Sequence, residues 1–290
     1  MSESELPLLG HVAVVTGSSS GIGRAMAVRL ARAGADIVVH ACANRDQAQA
    51  TAAEIQRLGR DSRMLLADLG DSAQLEEFFR QCWSWRNGCD IWINNAGVDL
   101  LTTPARSLPF DQKLELLWRV DVQATIRLSR LAGQQMTARE IPGAPLRDTV
   151  AGSPRDTTAS SPAPGLPVIL NMSWDQVDWG MAGESGELFC AAKGAIAAFS
   201  RSLARSLAPR VRVNCLAPGW IRTKWGETAP EYWRDRACQE SLLERWGTAE
   251  EVAEAALFLA CPAASFITGQ TLAVNGGFRI SGSRPDKDTD

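Results

Sequence analysis

The chain has 290 residues and a mass of 31.3 kDa, a length that suits one large α/β domain with a sizeable core. Its 30 lysines and arginines and 33 acidic residues give a net charge of −3, so nothing in the charge favours nucleic acid or an acidic membrane surface as a partner. The seven cysteines are scattered and include no CxxC pair, which argues against both disulfides and a metal site. Because neither a signal-peptide pattern nor a membrane-spanning apolar run is present, we expect a soluble, cytoplasmic protein.

Short runs rich in Val, Ile and Leu alternate with longer helical patterns along the whole chain. The predicted strands are 11–17, 36–41, 62–67, 90–95, 167–173, 211–217 and 271–276. The predicted helices span about 21–33, 45–59, 72–86, 111–139, 187–208 and 248–261. Strands that are apolar on both faces and alternate with helices predict an α/β fold, a doubly wound Rossmann-type parallel sheet with helices on both faces. We expect residues 1–290 to form one such domain.

Two segments depart from this alternation. Residues 140–166 are dense in Pro, Gly, Ser and Thr and show almost no apolar periodicity, which predicts a flexible insertion. Residues 280–290 are polar and charged and predict a disordered tail.

The first predicted strand runs into the sequence TGSSSGIGRA (16–25), in which three glycines fall between a strand and a helix. Glycine allows a tight turn and a close approach to a ligand, and the start of a helix presents N–H groups to a phosphate. This position makes the turn a candidate dinucleotide-binding site. Its candidate contact residues are Gly17, Ser18, Ser19, Ser20, Gly21, Ile22 and Gly23.

The spacing TGxxxGxG resembles that of the short-chain dehydrogenase/reductase family, and further motifs follow in the order of that family. They are Asp68 in LLADLG, NNAG (94–97), the segment VNCLAPGWIRT (213–223) and RWGTAEEVAEAALFLACPAASFITGQTLAVNGG near the C-terminus. The resemblance covers about residues 10–278 and implies a nicotinamide cofactor. It implies adenine contact at Asp68, nicotinamide contact at Lys193 and Thr223, and further cofactor contacts at Asn95, Ala96, Gly97, Pro218 and Gly219.

The end of the second strand bears on the choice of cofactor. Members of the family that use NAD usually carry an acid there, to hold the ribose hydroxyls. Here the sequence is VVHACANRD, which lacks the acid and offers Arg45. We therefore expect NADP(H) rather than NAD(H), with Arg45 at the 2′-phosphate. The alternative is that Arg45 only opens the next helix on the surface.

The reactive site departs from the family. Its members use a tyrosine as proton donor, a lysine four residues later, a serine and an asparagine. Lys193 is kept, but the aligned tyrosine position is Phe189, the serine position is Trp174 and the asparagine position is read as Gln123. The chain's one tyrosine, Tyr232, lies far along the sequence.

Asp175 is the candidate replacement acid, and with Lys193 it forms the predicted catalytic set. An aspartate near the serine position, together with the insertion before the fifth strand, is similar to the pteridine reductases of the same family. A carboxyl group in an apolar pocket can hold a proton near neutrality. The equally weighted alternative is that Asp175 caps a turn or pairs with Lys193.

Several aromatic residues fall in segments that the resemblance places beside the substrate. Stacked indoles could hold a flat conjugated ring; the alternative is that these tryptophans only pack in the core. The candidate substrate-binding residues are Trp174, Trp179, Phe189, Trp220 and Trp225.

Together these features predict an NADP(H)-dependent reductase with a non-standard proton-donor site. The predicted acceptor is a small molecule with a C=N bond, a pteridine-like ring or a carbonyl, and no metal is expected. The alternative is a catalytically inactive sensor or scaffold that binds dinucleotide. The resemblance also implies a homo-tetramer or homo-dimer built through the fourth and fifth helices.

Overall fold

The computed structural model describes residues 6–101, 104–139, 165–223, 226 and 229–279. Its strands are β1 (Val12–Val15), β2 (Asp36–Ala41), β3 (Ser62–Leu66), β4 (Ile91–Asn94), β5 (Val168–Met172), β6 (Arg212–Pro218), β7 (Ile221–Arg222), β8 (Gly247–Thr248) and β9 (Thr271–Val274). Seven of them form a parallel sheet in the order β3-β2-β1-β4-β5-β6-β9, whereas β7 and β8 form a separate parallel pair.

Helices cover both faces of the sheet. They are α1 (Gly21–Arg32), α2 (Arg45–Arg57), α3 (Ser72–Ser84), α4 (Phe110–Leu117), α5 (Ala124–Ala138), α6 (Glu184–Leu207), α7 (Glu231–Glu240) and α8 (Ala249–Ala260). Successive residues of β1 point to opposite layers, since Ala13 and Val15 pack with α1, α2 and α8 while Val12 and Val14 pack with α3, α5 and α6. This alternation explains the continuous apolar runs of the sequence and confirms the predicted doubly wound fold.

β1 and β4 are neighbours near the centre of the sheet. The chain continues from β1 through β2 to β3 in one direction and from β4 through β5 to β6 in the other, so the strand order reverses between β1 and β4. In an open parallel sheet such a reversal opens a crevice at the carboxyl ends of the two strands, where ligands bind. The glycine turn follows β1 and the NNAG motif follows β4, so the fold brings these two motifs to one place.

Three elements differ from the sequence prediction. The helix expected over 111–139 contains a π-helical segment, Trp118–Gln123, between α4 and α5. Helix α7 and the β7–β8 pair were not predicted, because α7 is short and strongly polar and each of the two strands has only two residues. The predicted insertion lies outside the described residues except for 165 and 166, and the predicted tail lies outside them entirely.

The seven cysteines are all free thiols. Within the described ranges, none of the helices has both the length and the apolar character needed to cross a membrane.

Candidate nucleotide and substrate site

The turn after β1 requires glycine at two positions for steric reasons. Gly17 has a φ of +66°, and a Cβ there would lie 2.9 Å from the Cα of Ala96. A Cβ on Gly23 would lie 2.2 Å from the carbonyl oxygen of Gly17. The backbone is therefore free of side-chain bulk where α1 begins, and it leaves a cradle in which a phosphate can approach the first N–H groups of the helix.

The NNAG motif holds this turn in place. The Oγ1 atom of Thr16 accepts hydrogen bonds from the backbone N–H groups of Asn95 and Ala96, at 2.9 and 3.0 Å. The side-chain amide of Asn95 donates to the carbonyl oxygen of Thr16 at 3.0 Å. These bonds tie the end of β4 to the end of β1 and thereby fix the crevice between them.

His40 supports the turn from beneath, a role that the sequence did not reveal. The N–H of Gly17 donates to Nδ1 of His40 at 3.0 Å, and Nε2 lies 3.0 Å from the carbonyl oxygen of Ala67. These contacts assign the ring proton to Nε2. Burial lowers the pKa of His40 to about 4, so the ring is neutral and serves as a structural acceptor rather than as a phosphate ligand.

The serines of the turn divide into an inward and an outward set. Ser18 is buried, donates to the carbonyl oxygen of Val15 at 2.7 Å and accepts from the N–H of His40 at 3.0 Å. Ser20 is exposed and Ser19 is partly exposed. The hydroxyl of Ser18 therefore stabilises the turn, whereas Ser19 and Ser20 are accessible to solvent.

The groups predicted for the adenosine end lie at the ends of β2 and β3. The carboxylate of Asp68 accepts from the N–H of Gly70 at 2.8 Å. Burial and the charge of Asp68 both raise the pKa of the Cys42 thiol, which places these two side chains near each other. Arg45 is exposed as the first residue of α2, whose cap is provided by Asn44.

At the opposite end of the crevice, Lys193 forms an ion pair with a buried acid that the sequence analysis missed. Its Nζ atom lies 2.9 Å from Oδ2 of Asp121, a residue with 1% exposure. The other oxygen of Asp121 accepts from the N–H of Val98 at 2.8 Å. Gly97 leaves room for this carboxylate, because a Cβ there would lie 2.7 Å from Oδ2.

The assignment of Gln123 to the asparagine position is therefore wrong. Asp121, two residues earlier, is the residue of this helix that contacts Lys193. It lies inside the π-helical segment, and such segments are frequent at functional sites. The sequence predicts a helix of regular pitch here, and it carries no clear signal of the wider helical turn at Trp118–Gln123.

Phe189 lies on α6 one turn before Lys193, and both side chains line the same cavity. The phenyl ring packs edge-on against Trp174, with 6.0 Å between ring centroids and an interplanar angle of 67°. The hydroxyl of Ser173 lies nearby and donates to the carbonyl oxygen of Lys193 at 3.1 Å. The phenyl ring offers no proton, so this end of the cavity is mainly apolar around one ammonium group.

The cavity has a volume of about 580 Å³, and five aromatic side chains are among the residues that line it. Trp174 and Phe189 line it in contact with each other, and Trp220 lines it as well. Two further indoles that the sequence analysis did not select, Trp233 and Trp246, also line it; each packs against Trp220, with centroids 5.7 and 5.8 Å apart. The cavity also contacts residues predicted for the cofactor, namely Ile22, Asn95, Pro218, Gly219 and Thr223.

One predicted substrate residue, Trp179, is not among the described residues that line this cavity. Trp179 is 56% exposed and stacks on Phe278, with ring centroids 5.6 Å apart, so the structure places it away from the cavity. Trp225 lies outside the described residues.

Asp175 lies behind the cavity wall rather than on it. Its Oδ2 accepts from the side-chain amide of Asn275 at 3.1 Å, and a Cβ on Gly219 would lie 2.9 Å from the same oxygen. Burial raises the pKa of Asp175 to about 6 despite the hydrogen bond from Asn275. Gly219 lines the cavity, so it stands between this carboxyl group and the space where a substrate would lie.

The carboxylate of Glu240 on α7 holds Trp220 and Arg236 in place. Glu240 accepts from Nε1 of Trp220 at 2.8 Å and from Nε of Arg236 at 2.7 Å. The guanidinium of Arg236 lies 6.0 Å from the ring centroid of Trp220 and 5.4 Å from that of Trp233. The faces of these rings thus already accept a cation, as the quadrupole of an indole allows.

These elements form a Rossmann-type dinucleotide site, and one cavity is lined both by residues predicted for the cofactor and by the aromatic residues. Family models match residues 11–143 to the family described as short chain dehydrogenase and residues 161–279 to the one described as Enoyl-(Acyl carrier protein) reductase. The 3-oxoacyl-[acyl-carrier-protein] reductase FabG of Aquifex aeolicus is 30% identical over 278 residues, which cover 94% of this chain and 99% of that protein.

Solved structures agree with this match. A short chain dehydrogenase from Burkholderia cenocepacia J2315 in complex with NADP has a TM-score of 0.76 and 28% identity, over 93% of this chain and 98% of that one. A 7α-hydroxysteroid dehydrogenase complexed with NADH and 7-oxo glycochenodeoxycholic acid has a TM-score of 0.78 and 27% identity, over 96% and 98% of the two chains. The chain belongs to the short-chain dehydrogenase/reductase family of NAD(P)-binding oxidoreductases, which confirms the family predicted from its motifs.

Proposed function

We propose that the protein is an NADP(H)-dependent reductase that transfers hydride to a flat small molecule without a phenolic proton donor. The observation that carries this proposal is the Lys193–Asp121 ion pair, whose lysine lines the same cavity as Ile22 of the glycine turn and Phe189. Positioning donor and acceptor together can supply about 7–11 kcal/mol of a reaction barrier. A general acid typically contributes a further factor of about 10²–10⁴. A site that positions well but lacks the acid therefore keeps much of its catalytic power.

The residues of the crevice fit a dinucleotide. The bulk-free turn at Gly17 and Gly23 would hold the pyrophosphate, and Asp68 the adenine. Lys193 and Thr223 would hold the nicotinamide half, since both line the cavity and Thr223 lies beside Gly21, where a Cβ would be 3.7 Å from its methyl group. The bound cofactor supplies the hydride, and the residues around it orient the acceptor and exclude water.

The chemistry of the cavity favours a C=N bond over a carbonyl. Reduction of a carbonyl leaves an alkoxide that needs a proton, whereas an iminium ion accepts hydride and becomes neutral without one. For a carbonyl or a pteridine-like substrate, Asp175 is the proposed acid, and its proton would have to pass Gly219 through an intervening water. FabG of Aquifex aeolicus is a 3-oxoacyl reductase by name, so carbonyl reduction is the second candidate.

Cofactor choice is tested by calorimetric titration with NADPH and NADH. We expect tighter binding of NADPH, and we expect Arg45→Ala to weaken NADPH about tenfold while leaving NADH unchanged, because a lost charged contact to phosphate costs on the order of 1.5 kcal/mol. Arg57→Ala, which removes an exposed arginine from the other end of the same helix, is the matched control. Equal affinities for the two cofactors would overturn the NADP preference, and no binding of either would overturn the proposed function.

The alternative function is a dinucleotide sensor without turnover. The phenyl ring of Phe189 favours it, because a phenyl group has no proton to give to a carbonyl product. Tight NADPH binding with no oxidation by ketones, dihydropteridines or iminium ions would establish the sensor and exclude the reductase.

A further inference from the structure

We infer that the cavity selects a cationic acceptor, an iminium ion conjugated with an aromatic ring, and that Asp121 makes this possible as the counter-ion of Lys193. The inference rests on the proposed function, because it names the substrate class of the same site. Unlike the proposed function, the inference depends on charges and ring contacts whose effect on ligand binding can be measured without the cofactor.

The charged groups that line the cavity are paired with opposite charges. Among the described residues that line it, the charged side chains are Lys193 and Glu184. Lys193 is paired with Asp121 at 2.9 Å, and Glu184 is paired with Lys113 at 2.6 Å. Each charge therefore has an opposite charge beside it, and a cation that enters the cavity meets no uncompensated ammonium group.

The depth of Asp121 strengthens this effect. The carboxylate is 1% exposed, so solvent screens its interaction with Lys193 far less than it would at the surface. The N–H of Val98 donates to the carboxylate of Asp121 and holds it in position, and Gly97 leaves the space that this carboxylate occupies. A neutral amide at residue 121 would leave the ammonium of Lys193 as a net positive charge facing the ligand.

The cavity also offers aromatic rings to a ligand. Five aromatic residues line the cavity in two contacting groups, Trp174 with Phe189 and Trp220 with Trp233 and Trp246, so a flat ring bound there has aromatic side chains to contact. Aromatic faces attract cations most strongly in a desolvated site. The guanidinium of Arg236 already uses two of these indoles in this way, and its own charge is paired with Glu240.

The reaction that follows is balanced without a proton donor. A hydride adds to the carbon of the C=N bond, and the π pair of that bond becomes the lone pair of the nitrogen. The acceptor is reduced by two electrons, NADPH is oxidised to NADP⁺, and no proton is taken up. Phe189 is then not a defect of the site, because the step makes no demand on a phenol.

The test compares N-methylquinolinium with quinoline, at a pH at which quinoline is uncharged, by calorimetry on the full chain without cofactor. We expect the quinolinium to bind more tightly. We expect Asp121→Asn to weaken the quinolinium about tenfold, as an uncompensated charge a few ångströms away would do at an intermediate dielectric constant, and to leave quinoline unchanged. Glu76→Gln, which removes an exposed surface carboxylate, is the matched control and should change neither.

Lys193→Met provides the opposite test and covers the case in which Asp121→Asn fails to fold. It leaves the carboxylate of Asp121 unpaired, so quinolinium affinity should rise about tenfold while quinoline stays constant. If the ratio of the two affinities is the same in the wild type and in the folded variants, the inference is overturned. Failure to bind NADPH would instead overturn the proposed function, and the calorimetry of the probes reads independently of that outcome.

Discussion

Phe189 and Lys193 lie one helical turn apart on α6, with the phenyl ring at the cavity wall and the ammonium group held by Asp121. Because the ring lines the cavity, a hydroxyl added to it is a candidate proton donor for a substrate bound there. This geometry leads to a prediction about a single oxygen atom.

Phe189→Tyr should create or increase reduction of ketones. The new phenol would supply the missing general acid, which is worth about 10²-fold or more in turnover, while iminium reduction should change little. The measurement is NADPH oxidation with each class of acceptor. Phe258→Tyr, on an exposed ring of α8, is the matched control. If the variant gains nothing on any ketone, the alignment of Phe189 with the proton-donor position is contradicted.

Asp175 yields a prediction about pH and stability. Its pKa rises from 3.8 to about 6 on burial, so the folded state binds the proton more tightly than the unfolded chain does. Its stabilising contribution is present below about pH 4 and is lost as the pH rises through about 6. Asp175→Asn should therefore gain free energy of unfolding relative to the wild type as the pH rises through this window, by up to about 3 kcal/mol.

Urea unfolding of both proteins at the two ends of that window measures the difference. A constant difference would show that the carboxyl group titrates alike in the folded and unfolded chains. The same variant also tests the catalytic proposal for Asp175, since it should slow ketone reduction most at acidic pH if this group delivers the proton. An unchanged pH profile would remove Asp175 from the reaction.

At the scale of elements, the helix that carries Asp121 also presents an apolar stripe to solvent. Phe110, Leu114 and Trp118 follow one another at four-residue spacing and are 41%, 37% and 43% exposed. Large apolar side chains grouped in this way are typical of protein–protein interfaces. A second copy of the chain that covers α4 would agree with the predicted homo-oligomer.

Trp118→Glu should reduce the mass of the assembly, because it places a charge in the centre of that stripe. Sedimentation equilibrium would give a multiple of the 31.3 kDa chain for the wild type and a smaller value for the variant. Leu58→Glu, on an exposed leucine at the end of α2, should leave the mass unchanged. A wild-type protein that sediments as a monomer would refute the prediction.

The sequence predicted best what depends on periodicity and on glycine. The seven strands of the main sheet and the glycine turn could be found because buried parallel strands are apolar throughout and the crowding at Gly17 and Gly23 excludes other residues. The features that were missed depend on tertiary packing. The π-helical segment shifts which side chain meets Lys193, the unpredicted helix α7 brings Trp233 to the cavity, and Trp179 stacks on Phe278 instead of lining the cavity.

At the scale of the whole molecule, the sheet brings the glycine cradle, the Lys193–Asp121 pair and the aromatic cavity to the carboxyl ends of neighbouring strands and the helices that follow them. The crevice between β1 and β4 fixes where a dinucleotide would lie, and the elements after β5 and β6 provide the walls for a second ligand. The central claim is that hydride passes between these two spaces without a phenol.

The most direct test is deuterium transfer from NADPH labelled at the transferable position of its nicotinamide ring to N-methyl-3,4-dihydroisoquinolinium, followed by mass spectrometry of the amine. We predict one deuterium in each product molecule, transferred by the wild-type protein with Phe189 in place. A product without label, or bound NADPH that is never oxidised by this acceptor, would contradict the account.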